Sequence, residues 1–158
     1  PEVVADPASV TARLNDSFQM SDHGGMFFTL FYGVYDRRTS ELTWCGGGHP
    51  PSLIVSKDGS HSWLDSQNMV IGALPGMEPQ VDSIKMKPGD RLLVFSDGVF
   101  ELKMASGEMW DFDEFKEFIS RPIGSEDDRI AELTSKGRLL MESDQFEDDV
   151  SILEVDFE

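Results

Sequence analysis

Hydrophobic positions recur along this chain in two periods. Val10, Leu14 and Phe18 follow Asp6-Pro7 at intervals of four, the spacing of one helix face. Asp as N-cap with Pro at the first helical position marks the start, so a helix is predicted to about Gln19. After the polar stretch Ser21-Asp22-His23-Gly24-Gly25, residues 26–35 are aromatic and β-prone almost throughout, which predicts a central strand covered on both faces. Residues 36–40 turn the chain and Glu41-Leu42-Thr43-Trp44-Cys45 returns as the second arm of a hairpin. Gly46-Gly47-Gly48-His49-Pro50-Pro51 reads as irregular. Short strands are predicted at 52–55, 61–64, 81–86 and 91–95, the last two joined by Lys87-Pro88-Gly89-Asp90, in an antiparallel meander. Helices follow at 113–119, behind an Asp111 cap, and at 125–141, where Ser125 and Asp128 form a capping-box-like pair. A final strand covers 150–157. Strands first, helices later and one strand at the end make an α+β pattern. With no repeat, linker or low-complexity segment, residues 1–158 read as one domain.

Charge narrows the partners. Thirteen Lys and Arg stand against 30 Asp and Glu, a net charge of −17. Such a surface repels phosphate backbones and anionic headgroups, which argues against nucleic acid and against a membrane surface as partners. Cations and basic protein segments suit it instead. No apolar run approaches the roughly 18 residues of a membrane span. Cys45 has no second Cys to pair with, as expected of a reducing, cytoplasmic setting.

Several chemical signals dissolve on inspection. Three His and one Cys do not make a structural zinc set. Asn15-Asp16-Ser17 matches a glycosylation sequon but lies inside a predicted helix. Asp111-Phe112-Asp113 lacks the Gly and the later Glu of a calcium loop. His49, in a Gly/Pro turn, reads as a turn residue.

Two acidic strand ends are more informative. The hydrophobic run from Arg91 to Phe95 ends in Ser96-Asp97-Gly98, where Gly98 lets the backbone turn away and projects Asp97 at a sheet edge. Glu147-Asp148-Asp149 stands immediately before the last strand. If the two strands are antiparallel neighbours, the carboxylates converge, which in a dry location is unfavourable unless a cation neutralises them. An all-oxygen set selects a hard ion such as Mg²⁺ or Mn²⁺. Spacing alone does not separate this from an ordinary Asp-Gly turn and a solvated acidic run.

Four blocks of sequence taken together carry more. Residues 26–36, then Gly47-Gly48-His49-Pro50-Pro51, then residues 88–99 with Ser96-Asp97-Gly98, then Asp148-Asp149-Val150-Ser151 resemble, in order, the bacterial metal-dependent type 2C (PPM) serine/threonine phosphatases, most nearly the stage II sporulation protein E and RsbU branch. The resemblance implies an α-β-β-α sandwich of two antiparallel sheets flanked by helices, with a two-ion Mg²⁺/Mn²⁺ site. It makes Asp97 and Asp148 metal ligands, Asp149 their support and Gly98 the residue that leaves room beside the backbone. It implies hydrolysis of phosphoserine or phosphothreonine by metal-activated water, with no protein nucleophile among the catalytic groups. It further implies a phosphorylated protein substrate of the anti-sigma-factor-antagonist type, an upstream sensor or response-regulator domain, and signal transduction; a homodimer is compatible with all of this.

One departure stands out. The family's Gly-Asp and Asp-x-x-Gly-His-Gly motifs, which bring further ligands, are missing here, and Asp22-His23-Gly24-Gly25 precedes a strand where the family motif precedes a helix. Because the first residue is Pro1 and the likeness begins at the first long helix, an N-terminally truncated domain is expected, nearly inactive as an isolated fragment. The competing reading is a catalytically silent pseudophosphatase that grips a partner. Gly46 before Gly47-Gly48-His49-Pro50 and Phe100 in place of a common Thr are departures that touch no ligand.

Overall fold

A computed structural model describes residues 4–66, 68–121 and 128–158. Among these the chain runs α1 (Pro7–Ser17), β1 (Leu30–Asp36), β2 (Glu41–Gly47), β3 (Ser52–Val55), β4 (His61–Leu64), β5 (Asp82–Lys85), β6 (Arg91–Phe95), a 3-10 turn (Asp97–Val99), α2 (Phe112–Ser120), α3 (Arg129–Met141) and β7 (Ile152–Asp156). Two antiparallel sheets with flanking helices result, of order β1-β2-β5 and β4-β3-β6-β7, and the class is α+β as predicted. The chain divides into two compact units, one of residues 1–51 and 65–88, the other of 52–64 and 89–158.

In the first unit Asp6 caps α1, its carboxylate accepting from Ala8 N at 3.2 Å. The predicted hairpin forms with Leu30 opposite Gly47 and Asp36 opposite Glu41. Three expectations change here. β1 begins at Leu30 rather than at residue 26, and it is an edge strand none of whose residues is fully buried. Gly46 and Gly47 belong to β2. They are required there by close approach, since a Cβ on Gly46 would meet Ser66 Cβ at 2.5 Å and one on Gly47 would meet Ile71 Cδ1 at 2.6 Å. And β5 pairs with β2, not with β6, so the strands do not form a simple meander. A four-residue strand cannot announce its partner, because pairing depends on which apolar face finds cover.

Asn15 ties this unit together. It is 1 % exposed, donates Nδ2 to Leu74 O at 2.8 Å and accepts Gly72 N at 2.9 Å. A carbohydrate could not be attached to so buried an amide. Asn15→Ala would leave a buried N–H and a carbonyl unpaired; the expected loss is about 2 kcal/mol, read from the shift in urea midpoint. An unchanged midpoint would mean that both groups find other partners.

In the second unit, β3 and β6 are the central strands, and Leu53 faces Leu93 across them. Leu53, Leu93, Phe95, Phe115, Ile119 and Leu133 form its buried core. Phe115 packs edge-on against Phe95 and Trp110 at centroid distances of 5.3 and 5.4 Å. Asp111 caps α2 through Asp113 N and Glu114 N, and Asp128 caps α3 through Ala131 N. Ser125, predicted to open α3, lies outside the described residues. Arg129, at the first position of α3, is buried and donates to Ile119 O and Arg121 O.

Candidate metal centre

The last three residues of β6 are mostly buried, so the strand is fixed up to Phe95. Phe95 faces Ile152 of β7, which makes the end of one strand the neighbour of the start of the other. The condition posed from the sequence, that the two strands be antiparallel neighbours, is therefore met, and the segments bearing Asp97 and Asp148 lie side by side. Ser96 N donates to Ser151 O at 2.9 Å and Ser96 Oγ to Asp149 O at 3.0 Å, while Ser151 N donates to Ser96 Oγ at 2.9 Å. Beyond Ser96 the backbone coils: Phe100 N and Glu101 N both donate to Asp97 O, at 3.0 and 2.8 Å.

Gly98 is buried at the heart of this contact. A Cβ there would lie 2.6 Å from Asp149 O and 3.4 Å from Asp148 Cβ. Only glycine lets the two segments approach so closely, and the backbone of Asp149 occupies the room beside it. Asp97, Asp148 and Asp149 are exposed. Each of the first two is oriented by the next residue's amide: Gly98 N donates to Asp97 Oδ1 at 3.0 Å and Asp149 N to Asp148 Oδ1 at 2.8 Å. An ionised carboxylate has about four lone-pair sites, so one such bond leaves capacity for a cation. Asp149 thus acts on Asp148 through its amide and on Ser96 through its carbonyl.

The donor chemistry suits a hard divalent ion. Mg²⁺ keeps several waters and is commonly held by one or two carboxylates, and Asp97 and Asp148 are the carboxylates that these segments would offer it. Among the described residues no group of three or more His, Cys, Asp and Glu side chains converges as a metal cage. Two carboxylates with free lone pairs are compatible with one ion that keeps its waters, and among the described residues no donors for a second are gathered.

The remaining candidates are engaged locally in the first unit. His23 Nε2 lies 3.3 Å from Ser17 O and its ring packs on Phe18. Gly24 and Gly25 have φ of +66° and +84°, and Asp22-His23-Gly24-Gly25 forms a turn. His49 Nδ1 lies 2.7 Å from Pro50 O. Cys45 is fully buried, and burial pushes its thiol pKa up, as expected of an inert packing residue. Sequence reasoning missed Ser96; a hydroxyl at a strand end directly before Asp-Gly was the available signal. Among the described residues no helix is long and apolar enough to cross a membrane.

Comparison with known proteins identifies the family and the fold. The family model described as stage II sporulation protein E (SpoIIE) matches residues 2–158. Protein IcfG of Synechocystis is 32 % identical over 100 residues, covering 62 % of this chain and 16 % of the relative. Phosphoserine phosphatase RsbU of Bacillus subtilis is 29 % identical over 108 residues, covering 68 % of this chain and 32 % of the relative. The chain thus spans a third or less of the length of these relatives. Among solved structures, the PP2C phosphatase domain of SpoIIE from Bacillus subtilis, with a fragment of its regulatory domain, superimposes with a TM-score of 0.76 at 23 % identity, covering 96 % of this chain and 44 % of that one. At that identity the likeness speaks for the fold.

Proposed function

The chain belongs to the SpoIIE family of PP2C-type phosphatases, and on that premise we propose that it removes phosphate from serine or threonine of a regulatory protein, with a Mg²⁺ or Mn²⁺ ion held by Asp97 and Asp148. The observation that carries the reading is the β6–β7 register, which sets the two carboxylate-bearing segments side by side around Gly98. When bound, divalent ions of this kind polarise phosphoryl oxygens and supply hydroxide at neutral pH for in-line attack. Asp97 and Asp148 bring charge to the ion, the amides of Gly98 and Asp149 hold those carboxylates in orientation, and the Ser96 contacts keep the two segments together. A substrate of the anti-sigma-factor-antagonist type fits the likeness to RsbU, a phosphoserine phosphatase, and the charge of −17 favours basic residues around the phosphorylated site. An upstream sensor or response-regulator domain and a cytoplasmic setting belong to the same reading.

A pseudophosphatase is the second reading, favoured because among the described residues no group of three or more His, Cys, Asp and Glu side chains is placed to hold a metal ion. Release of phosphate from a phosphoserine peptide separates the two. It would be measured for this chain alone and for the chain extended by whatever its gene encodes before Pro1. Mn²⁺-dependent release that stops on chelation is expected from the extended protein, with little from the chain alone. Metal-independent release would overturn the mechanism, and binding without release would favour the pseudophosphatase.

A further inference from the structure

Ser96 sits where the β6–β7 ladder stops and the turn bearing Asp97 begins. In an antiparallel pair, two facing residues exchange both backbone hydrogen bonds. Ser96 makes the first half of that exchange in the ordinary way, its N–H donating to Ser151 O at 2.9 Å. The second half differs: Ser151 N–H donates to the Ser96 hydroxyl, at 2.9 Å, and the hydroxyl in turn donates a hydrogen bond to Asp149 O, at 3.0 Å. Relieved of its place in the ladder, the Ser96 carbonyl accepts Val99 N–H at 3.2 Å, the bond that closes the 3-10 turn over Asp97 and Gly98. One side chain therefore ends the strand, opens the turn and holds residues 149–151 against it.

We propose that Ser96 is a positioning residue for the metal centre: its hydroxyl substitutes for the backbone carbonyl in the ladder and thereby fixes the Asp97 carboxylate beside Asp148. This rests on the reading of Asp97 and Asp148 as metal ligands. Without the hydroxyl, Ser151 N–H must recruit the Ser96 carbonyl, which opens the Val99 bond, or stay unpaired. The Asp97 side chain then loses its set direction, and a cation shared by two carboxylates is sensitive to that direction. Outer partners that orient metal ligands are worth about 10–100-fold in affinity.

The test compares Ser96→Ala with Ser96→Thr, which keeps the hydroxyl, and with Asp97→Asn, all in the full chain. Without metal, hydrogen exchange at the Val99 and Ser151 amides is expected to quicken about tenfold or more in Ser96→Ala, with the Phe115 amide in α2 unchanged and Ser96→Thr close to wild type. With Mn²⁺ alone as the probe, followed by electron paramagnetic resonance, Ser96→Ala is expected to bind about tenfold or more weakly and Ser96→Thr nearly as wild type. If Ser96→Ala binds Mn²⁺ as tightly as wild type while Asp97→Asn does not, the positioning role is overturned and the metal centre stands. If Asp97→Asn leaves Mn²⁺ binding untouched, the metal centre itself is overturned. Faster exchange at Val99 would then assign Ser96 a purely structural part, and the proposal falls with the centre.

Discussion

Exchange of Arg129 for methionine is expected to cost the fold about 3 kcal/mol, although methionine fills much of the same space and removes a buried charge. The last carbonyls of any helix lack partners within it, and at the end of α2 two of these needs are met from outside. The Arg129 guanidinium, on a side chain only 2 % exposed, donates to Ile119 O and, at 2.7 Å, to Arg121 O. Hydrogen bonds from a charged donor are worth about 1.5–3 kcal/mol each. Against this stands the cost of desolvating the guanidinium, which pulls its pKa below the usual value and is opposed by the charges of Glu154 and Glu132; among the described residues Nε has no hydrogen-bond partner. The net is therefore smaller than two full bonds but still large for one residue. Arg129→Lys keeps the charge and loses the two-pronged fork, and less than half the stability should return. Urea unfolding measures both variants. A methionine variant as stable as the wild type would show that desolvation cancels the bonds.

In the extended protein, Asp97→Asn and Asp148→Asn should each reduce Mn²⁺-dependent phosphate release by about a thousandfold, equivalent to roughly 4 kcal/mol of transition-state stabilisation. Asparagine preserves shape and retains the oxygen that accepts Gly98 N–H or Asp149 N–H, so the fold should hold to within about 0.5 kcal/mol. What it removes is charge, and hard cations bind neutral amide oxygens far less well than a pair of carboxylates. The contrast between activity and stability is the measurement. Equal losses in both would make these acids structural, and an unimpaired rate would remove them from the reaction.

Local signals in the sequence were dependable where chemistry is local. Asp6-Pro7 and Asp111 each mark a helix start because one carboxylate meets amides two or three residues on, whereas Asp128, read as the inner partner of Ser125 within a helix, is itself the N-cap of α3. The run from Arg91 to Gly98 reads as a strand ending in an aimed acid for a similar reason: a buried apolar strand and a glycine are sufficient. The juxtaposition of Asp97 and Asp148 could be posed, but only as a condition on strand pairing. Long-range choices were hidden. Nothing within Asp82–Lys85 tells it to join β2, and the aromatic run ending at Tyr35 looks like a covered central strand although the structure places it at an edge. Gly46 and Gly47 read as irregular because the reason for them, the approach of Ser66 and Ile71, lies about 20 residues further along. Arg129 gives no sign that its partners are carbonyls of the preceding helix.

The pairing of β6 with β7 also sets an order of events during synthesis. Ser96 and Ser151 stand 55 positions apart, yet share the bonds that frame Asp97 and Asp148. A contact of such long separation forms late, because the intervening chain must first give up its freedom. While the C-terminal strand is still inside the ribosome, Phe95 has no Ile152 to face and the turn at Gly98 has nothing to close against. A nascent chain can therefore bury much of its core before the segments bearing Asp97 and Asp148 are brought together, which happens only when the strand at Ile152–Asp156 has been released and docked.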